Sequence, residues 1–398
     1  MAGKSFQTKN VLTLSGAHML HDIYSSFLAP LRPLLIEKFQ MTLLLSSLLD
    51  VFQRLPNLFN PIVGIIADKA PARYFVIISP AITAITMSLL GAAPHYSMLA
   101  ILLLVMGVAG ALFHVPSPVM IKKLAGNRTG KGMSFYMLGG ELARTIGPLI
   151  ITGAVSLWSL EGTWKLIPFG IVASFILYLR LRNIQISSDL KPKGGEGNIK
   201  QTFKTHQHVF LMLTGIIFFR AIVKSGLTGF LPTYFYSEIG ETLWFSNISL
   251  AALQIAGAAG TYLSGTLSDK LGRKSILMIS AIGLPLVMWL FLMVKNIYTL
   301  PVLLLLGLFV FAPGPVILAF VQDMKTQRPA LLNGIYMTIN FLSGSLSVLL
   351  VGWMGDLLSL KTTYMITATA AILSIPFVFF LKPTHIDKIN DTSDKLKE

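Results

Sequence analysis

His18-Met19-Leu20-His21-Asp22 sets two imidazoles and a carboxylate inside an apolar stretch near the start of the chain. On a helix, His18 and Asp22 are four residues apart and share a face, while His21 is turned partly away. A carboxylate beside a histidine, in a place that alternately dries and floods, changes protonation as its surroundings change. That chemistry suits proton coupling, with Asp22 and His18 as carriers. Asp50 and Arg54 follow at i,i+4, the order that favours an ion pair along one helix. Glu141 and Arg144 stand at i,i+3, so Glu141 is either another proton carrier or a fixed counter-charge. Arg220 and Lys224 share a face and repel, with no acidic residue between Val209 and Tyr236. Something negative must offset them: Asp22 or Glu141 across the cavity, or an anionic substrate. Because five basic residues (Arg32, Arg54, Arg144, Arg220, Lys224) face three acidic ones (Asp22, Asp50, Glu141) at membrane depth, a substrate bearing a carboxylate, phosphate or phosphonate is expected. His21, His114, Arg144, Arg54 and Asp50 complete the expected substrate-binding set. His18, Asp22 and His114 also admit a metal reading. The favoured reading assigns no metal and no cofactor.

The elements that must position these groups are long and apolar. The chain of 398 residues is 54% hydrophobic and 12% charged, against about 25% charged in soluble domains. Mean hydropathy is +0.70. A bilayer core needs about 20 mostly apolar residues per helix, and twelve stretches qualify. Spans 1–6 run at about Val11–Ile36, Thr42–Ala67, Tyr74–Gly91, Met98–Ile121, Met133–Leu157 and Trp164–Leu181. Spans 7–12 run at about Val209–Tyr236, Trp244–Ser268, Ser275–Val294, Leu300–Val321, Leu331–Met354 and Tyr364–Leu381. The runs are too long, and lack the alternation, for a membrane β-barrel. The first is also too long for a signal-peptide core and has no small-residue cleavage site. A charge facing lipid at mid-helix costs at least roughly 2.5–3.5 kcal/mol, so those named above are expected to face a cavity or one another. Arg32 is instead expected to snorkel to the interface. Trp158, Trp164, Trp244, Trp353 and Tyr364 fall near span ends, as interfacial anchors do.

The net charge of +15 reports topology. With both termini cytoplasmic, 23 of the 32 basic residues fall on the cytoplasmic side, as the positive-inside rule requires. They are split among short segments, which argues against nucleic acid and leaves anionic lipid as a partner. There is no cysteine, so disulfides and thiolate metal sites are excluded. The expected layout is a six-helix bundle at 1–184, a cytoplasmic linker at 185–207, a second six-helix bundle at 208–381 and a cytoplasmic tail at 382–398. Proline-broken segments, His114-Val115-Pro116-Ser117-Pro118 and Ala312-Pro313-Gly314-Pro315, fall at comparable places in spans 4 and 10. Interruptions at matching positions point to a binding site and to flexing gates.

The string G-I-I-A-D-K-A-P-A-R at Gly64–Arg73 is echoed by G-T-L-S-D-K-L-G-R-K at Gly265–Lys274, 201 residues later. A charged turn recurring once per half marks a transporter built from two similar bundles. Two halves, a basic linker and this doubled turn resemble the major facilitator superfamily over essentially the whole chain. The resemblance implies an all-α fold of twelve membrane helices, with a cavity lined by spans 1, 4, 7 and 10 and alternating access. It also implies a cytoplasmic gate of Gly64, Asp68, Lys69, Arg73, Gly265, Asp269, Arg273 and Lys274. In that gate the glycines let helices approach, and the aspartates face helix N-termini of the opposite half. A narrower likeness is to the fosmidomycin-resistance-like branch. It rests on H-M-L-H-D, Phe52-Gln53, P-I-V-G-I-I-A-D-K, F-H in span 4, G-G-x-x-x-x-x-I-G-P at Gly139–Pro148, and V-Q-D ending span 10. It implies a proton-driven exporter of a small organic anion or amphiphile; a monomer in the cytoplasmic (inner) membrane is expected. Proton-coupled import of an anion, such as a polycarboxylate chelator or metabolite, is the alternative. A channel or receptor on the same scaffold is another, and an enzyme is not expected.

Overall fold

The computed structural model describes residues 6–60, 62–63, 73–182, 199–324 and 329–382. Among the described residues the helices group into twelve rods. Eight helices among the described residues are long and apolar enough to cross a membrane. The chain divides into two units, Met1–Pro192 with Phe235–Ala251, and Lys193–Tyr234 with Ala252–Glu398.

In the first unit, span 1 is Thr8–Ser25 continued by Leu28–Phe39. The break falls at Ser26, whose carbonyl would meet the ring of Pro30 four residues on. Span 2 is Leu43–Arg54, capped by Thr42, whose hydroxyl accepts from the Leu45 amide at 3.0 Å. Span 3 is Arg73–Ser88. Span 4 is Tyr96–His114, interrupted at Val115-Pro116 and resumed as Ser117–Ala125. Span 5 is the unbroken Thr129–Trp158, and span 6 is Ile167–Leu181. Span 1 packs chiefly on span 5, and span 3 on spans 4 and 6. One apolar cluster gathers Phe27, Leu31, Met87 and Leu99, and another Leu14, Phe113, Ile121 and Leu177.

Spans 7–12, which make up the second unit apart from Phe235–Ala251, repeat this plan. Span 7 is Ile199–Thr233 with a π-helical turn at Tyr234–Ile239, following Pro232. Residues 199–207 of the expected linker are thus helical, while residues 185–198 lie outside the described residues. Spans 8 and 9 are Leu243–Leu271 and Arg273–Met293, joined by Gly272 alone at φ +88°. Only glycine adopts such a conformation without strain, so the repeated turn closes in one residue. Span 10 is Thr299–Phe311 and Pro313–Gln322, broken as span 4 is. Span 11 is Pro329–Leu357, and span 12 is Leu360–Ala371 with Ser374–Phe380. Span 7 packs chiefly on span 11, and span 9 on spans 10 and 12. Those are the pairings of the first unit, each number raised by six. Leu213, Ile217, Ile317, Phe320 and Val378 form its core.

The polarity is that of a membrane protein. Phe169, Val172, Phe175 and Leu179 are exposed along span 6, while Ser46, Ser47, Thr83 and Ser117 are buried. Small hydroxyls inside satisfy themselves on nearby carbonyls, as Ser46 does on Leu43 and Ser47 on Leu44. Tyr364 departs from the expected aromatic anchor: it is fully buried and donates to the Gly226 carbonyl at 3.1 Å.

Candidate functional site

In the first unit, His18, Asp22 and His114 converge. His18 Nε2 lies 3.3 Å from Asp22 Oδ2, and His114 Nε2 lies 3.3 Å from Asp22 Oδ1. The helix break after His114 turns its side chain toward span 1 and leaves it 44% exposed, whereas those of His18 and Asp22 are buried. His18 Nδ1 donates to the Tyr136 carbonyl at 2.7 Å. A carbonyl only accepts, so Nδ1 carries a proton and Nε2 is the nitrogen left for Asp22. A neutral His18 would then aim a lone pair at a carboxylate oxygen. The contact is attractive only with a cation shared between them, the simplest being a proton.

Packing holds this arrangement in place. Tyr136 stacks on His18 with centroids 3.9 Å apart, and its hydroxyl shares a 2.6 Å hydrogen bond with Ser117, just past the break in span 4. Gly139 and Gly140 let span 5 lie against span 1. A Cβ at Gly140 would stand 2.7 Å from His18 Cε1 and 3.2 Å from Asp22 Oδ2, and one at Gly139 would stand 2.6 Å from the Ser15 carbonyl. His21 points elsewhere. It is fully buried, stacks on Phe113 at 4.6 Å and shares a 3.1 Å hydrogen bond with Thr83. His21, expected among the substrate-binding residues, is thus enclosed by Phe113 and Thr83 in this structure. Tyr136, Thr83 and Phe113 were absent from that reading.

Two further carboxylates of this unit pair with guanidinium groups. Asp50 pairs with Arg32 of span 1 and not with Arg54. Arg32 is 1% exposed, so it does not snorkel as expected. Among the described residues no carboxylate pairs with the half-buried Arg54. Glu141 pairs with Arg144 one turn along span 5.

In the second unit, Arg220 is buried, and its Nε donates to the Val310 carbonyl at 3.0 Å, next to the break in span 10. Its Nη2 would stand 3.5 Å from a Cβ at Gly314. Among the described residues no carboxylate forms an ion pair with it. The Lys224 ammonium lies over the Phe311 ring, 4.7 Å from the centroid.

Of the expected gate, Gly64, Asp68 and Lys69 lie outside the described residues. The Arg73 guanidinium lies 5.0 Å from the Tyr74 ring centroid. The second copy is a compact ionic knot. Buried Arg273 meets Asp269 at 2.6 Å, Asp323 at 3.1 Å and the Ser268 hydroxyl at 2.6 Å. Lys274 donates to the Phe379 carbonyl at 2.6 Å. Asp323, the third residue of V-Q-D, was not among the expected gate residues. Among the described residues, a Cβ at Gly265 would meet nothing within 4 Å.

Comparison with known proteins agrees with this architecture. The chain is 23% identical to the fosmidomycin resistance protein of Escherichia coli (strain K12), over 97% of this chain and 95% of that one. It is 23% identical to the multi-drug resistance efflux pump PmrA of Streptococcus pneumoniae, over 56% of each. A crystal structure of a bacterial homolog of the human lysosomal transporter Spinster superposes with a TM-score of 0.75 at 14% identity, covering 98% of both chains. The profile of the Major Facilitator Superfamily matches residues 14–348. The chain therefore belongs to the Major Facilitator Superfamily, as a multi-pass membrane transporter rather than an enzyme.

Proposed function

We propose that this transporter exports a small organic anion or amphiphile across the cytoplasmic membrane in exchange for protons, with both termini in the cytoplasm. The observation that carries the anion is Arg220. It is a guanidinium buried at membrane depth, held by one backbone carbonyl and lacking a carboxylate partner among the described residues. A cation so placed is costly unless something negative arrives, and a substrate oxyanion is what a planar guanidinium binds in two-point fashion. Lys224, one turn on, adds a second positive charge. Protons enter through the first unit, where the His18–Asp22 contact requires a shared cation. Export is favoured because relatives of this chain carry resistance and efflux names. The basic asymmetry of the sequence supports the orientation.

The test is a thermal-shift screen of small anions, neutral compounds and cations on the purified protein, repeated with Arg220→Ala. Each hit is then followed as flux in proteoliposomes with and without a pH gradient. Anions that stabilise the wild type and not Arg220→Ala, and that move only with a gradient, are the expected result. Hits confined to neutral or cationic compounds, insensitive to Arg220→Ala, would overturn the reading.

A further inference from the structure

The geometry points to a divalent transition-metal site at His18, Asp22 and His114, with zinc as the representative ion. Nitrogen and oxygen donors in this mixture suit zinc and its first-row neighbours. One atom from each of the three residues lies within 4.8 Å of the others. Around a tetrahedral zinc with bonds of about 2.0–2.2 Å, neighbouring ligand atoms stand roughly 3.3–3.5 Å apart. Each imidazole nitrogen lies 3.3 Å from a different oxygen of Asp22, His18 Nε2 from Oδ2 and His114 Nε2 from Oδ1. Gathering one atom of each residue around one ion therefore needs a small inward shift, which the half-exposed His114 side chain can supply.

The surroundings are those of a ligand rather than of a bystander. A metal-bound histidine usually donates its other nitrogen to a carbonyl or carboxylate, which fixes the tautomer. His18 already does so through Nδ1 to Tyr136, and stacking against the Tyr136 ring sets its plane. Gly140 keeps the space beside His18 and Asp22 clear. The exposure of His114 leaves a fourth coordination position for water or a ligand. Resting on the proton reading above, the consequence is regulatory: an ion held here occupies Asp22 and stops proton coupling.

Untagged full-length protein in detergent is titrated with Zn2+ by calorimetry and with Co2+ by its visible absorption. One ion per chain and a tetrahedral cobalt spectrum are expected. His114→Ala and, separately, His18→Gln should each weaken binding by at least about tenfold. His95→Asn, at an exposed histidine that caps Tyr96–His114, should leave binding unchanged. Variants are compared only where their melting curves show a folded protein, and His114→Asn serves if the alanine does not fold. Equal affinity in wild type and His114→Ala, or a loss of binding in His95→Asn, would overturn the proposal. The two readings fail separately. Absent metal binding with an intact Asp22-dependent coupling removes only the metal site. Triad-dependent binding with pH-independent flux removes only the proton role.

Discussion

The two units share a fold plan and a helix-pairing pattern, yet they treat buried charge in opposite ways. In the first, Asp22 is flanked by two imidazoles, Asp50 by Arg32 and Glu141 by Arg144. In the second, Arg220 and Lys224 rest on a carbonyl and an aromatic ring. In the first, three carboxylates each sit beside a basic side chain, whereas in the second the buried Arg220 has no ion-paired carboxylate among the described residues. A duplicated scaffold need not keep duplicated chemistry, because each bundle is stabilised by its own packing and its polar positions can diverge.

The largest expected effect comes from breaking an ion pair of the first unit. Asp50→Ala leaves the buried Arg32 without its carboxylate, which should cost about 3–5 kcal/mol and lower the melting temperature sharply. Replacing both residues together, Arg32→Met with Asp50→Leu, should recover most of that loss. Next is the buried guanidinium of the second unit. Arg220→Ala should weaken binding of an anionic substrate roughly ten- to a hundredfold, the worth of a charged hydrogen bond, measured by titration of a thermal-shift hit. Neutral compounds should bind as before. A finer cut is Gly140→Ala, whose methyl would displace the His18 ring at a cost of about 1–3 kcal/mol. Its signature is reduced pH-driven flux with substrate binding retained. Gly16→Ala in span 1, where a Cβ meets nothing within 4 Å, should leave both unchanged. The smallest effect is expected at the outer edge of the ionic knot. The Asp269 side chain is 65% exposed, so Asp269→Asn should change the melting free energy by less than about 1 kcal/mol.

The membrane helices and the paired breaks in spans 4 and 10 were legible because hydropathy and proline act locally. The convergence of His18 and Asp22 was legible for the same reason, through helical spacing. Arg32 was misread because spacing favours the neighbour on the same helix, Arg54, while the actual partner of Asp50 comes from another. Tyr136 and Thr83 carried no signal of their own in apolar runs. The cue for Tyr136 was indirect: it precedes by four residues the Gly140 that clears space for His18. Asp323 was visible only through the resemblance that V-Q-D carries, since no turn of sequence joins it to Arg273.

The central claim is a division of labour, protons on the Asp22 cluster and anion on Arg220. It is tested most directly by following proton and substrate movement together in proteoliposomes containing wild type or Asp22→Asn. Wild type should accumulate substrate against its gradient when a pH gradient is imposed. Asp22→Asn should still exchange substrate for substrate but should neither accumulate it nor dissipate the pH gradient. Proton-driven accumulation undiminished in Asp22→Asn would contradict the account.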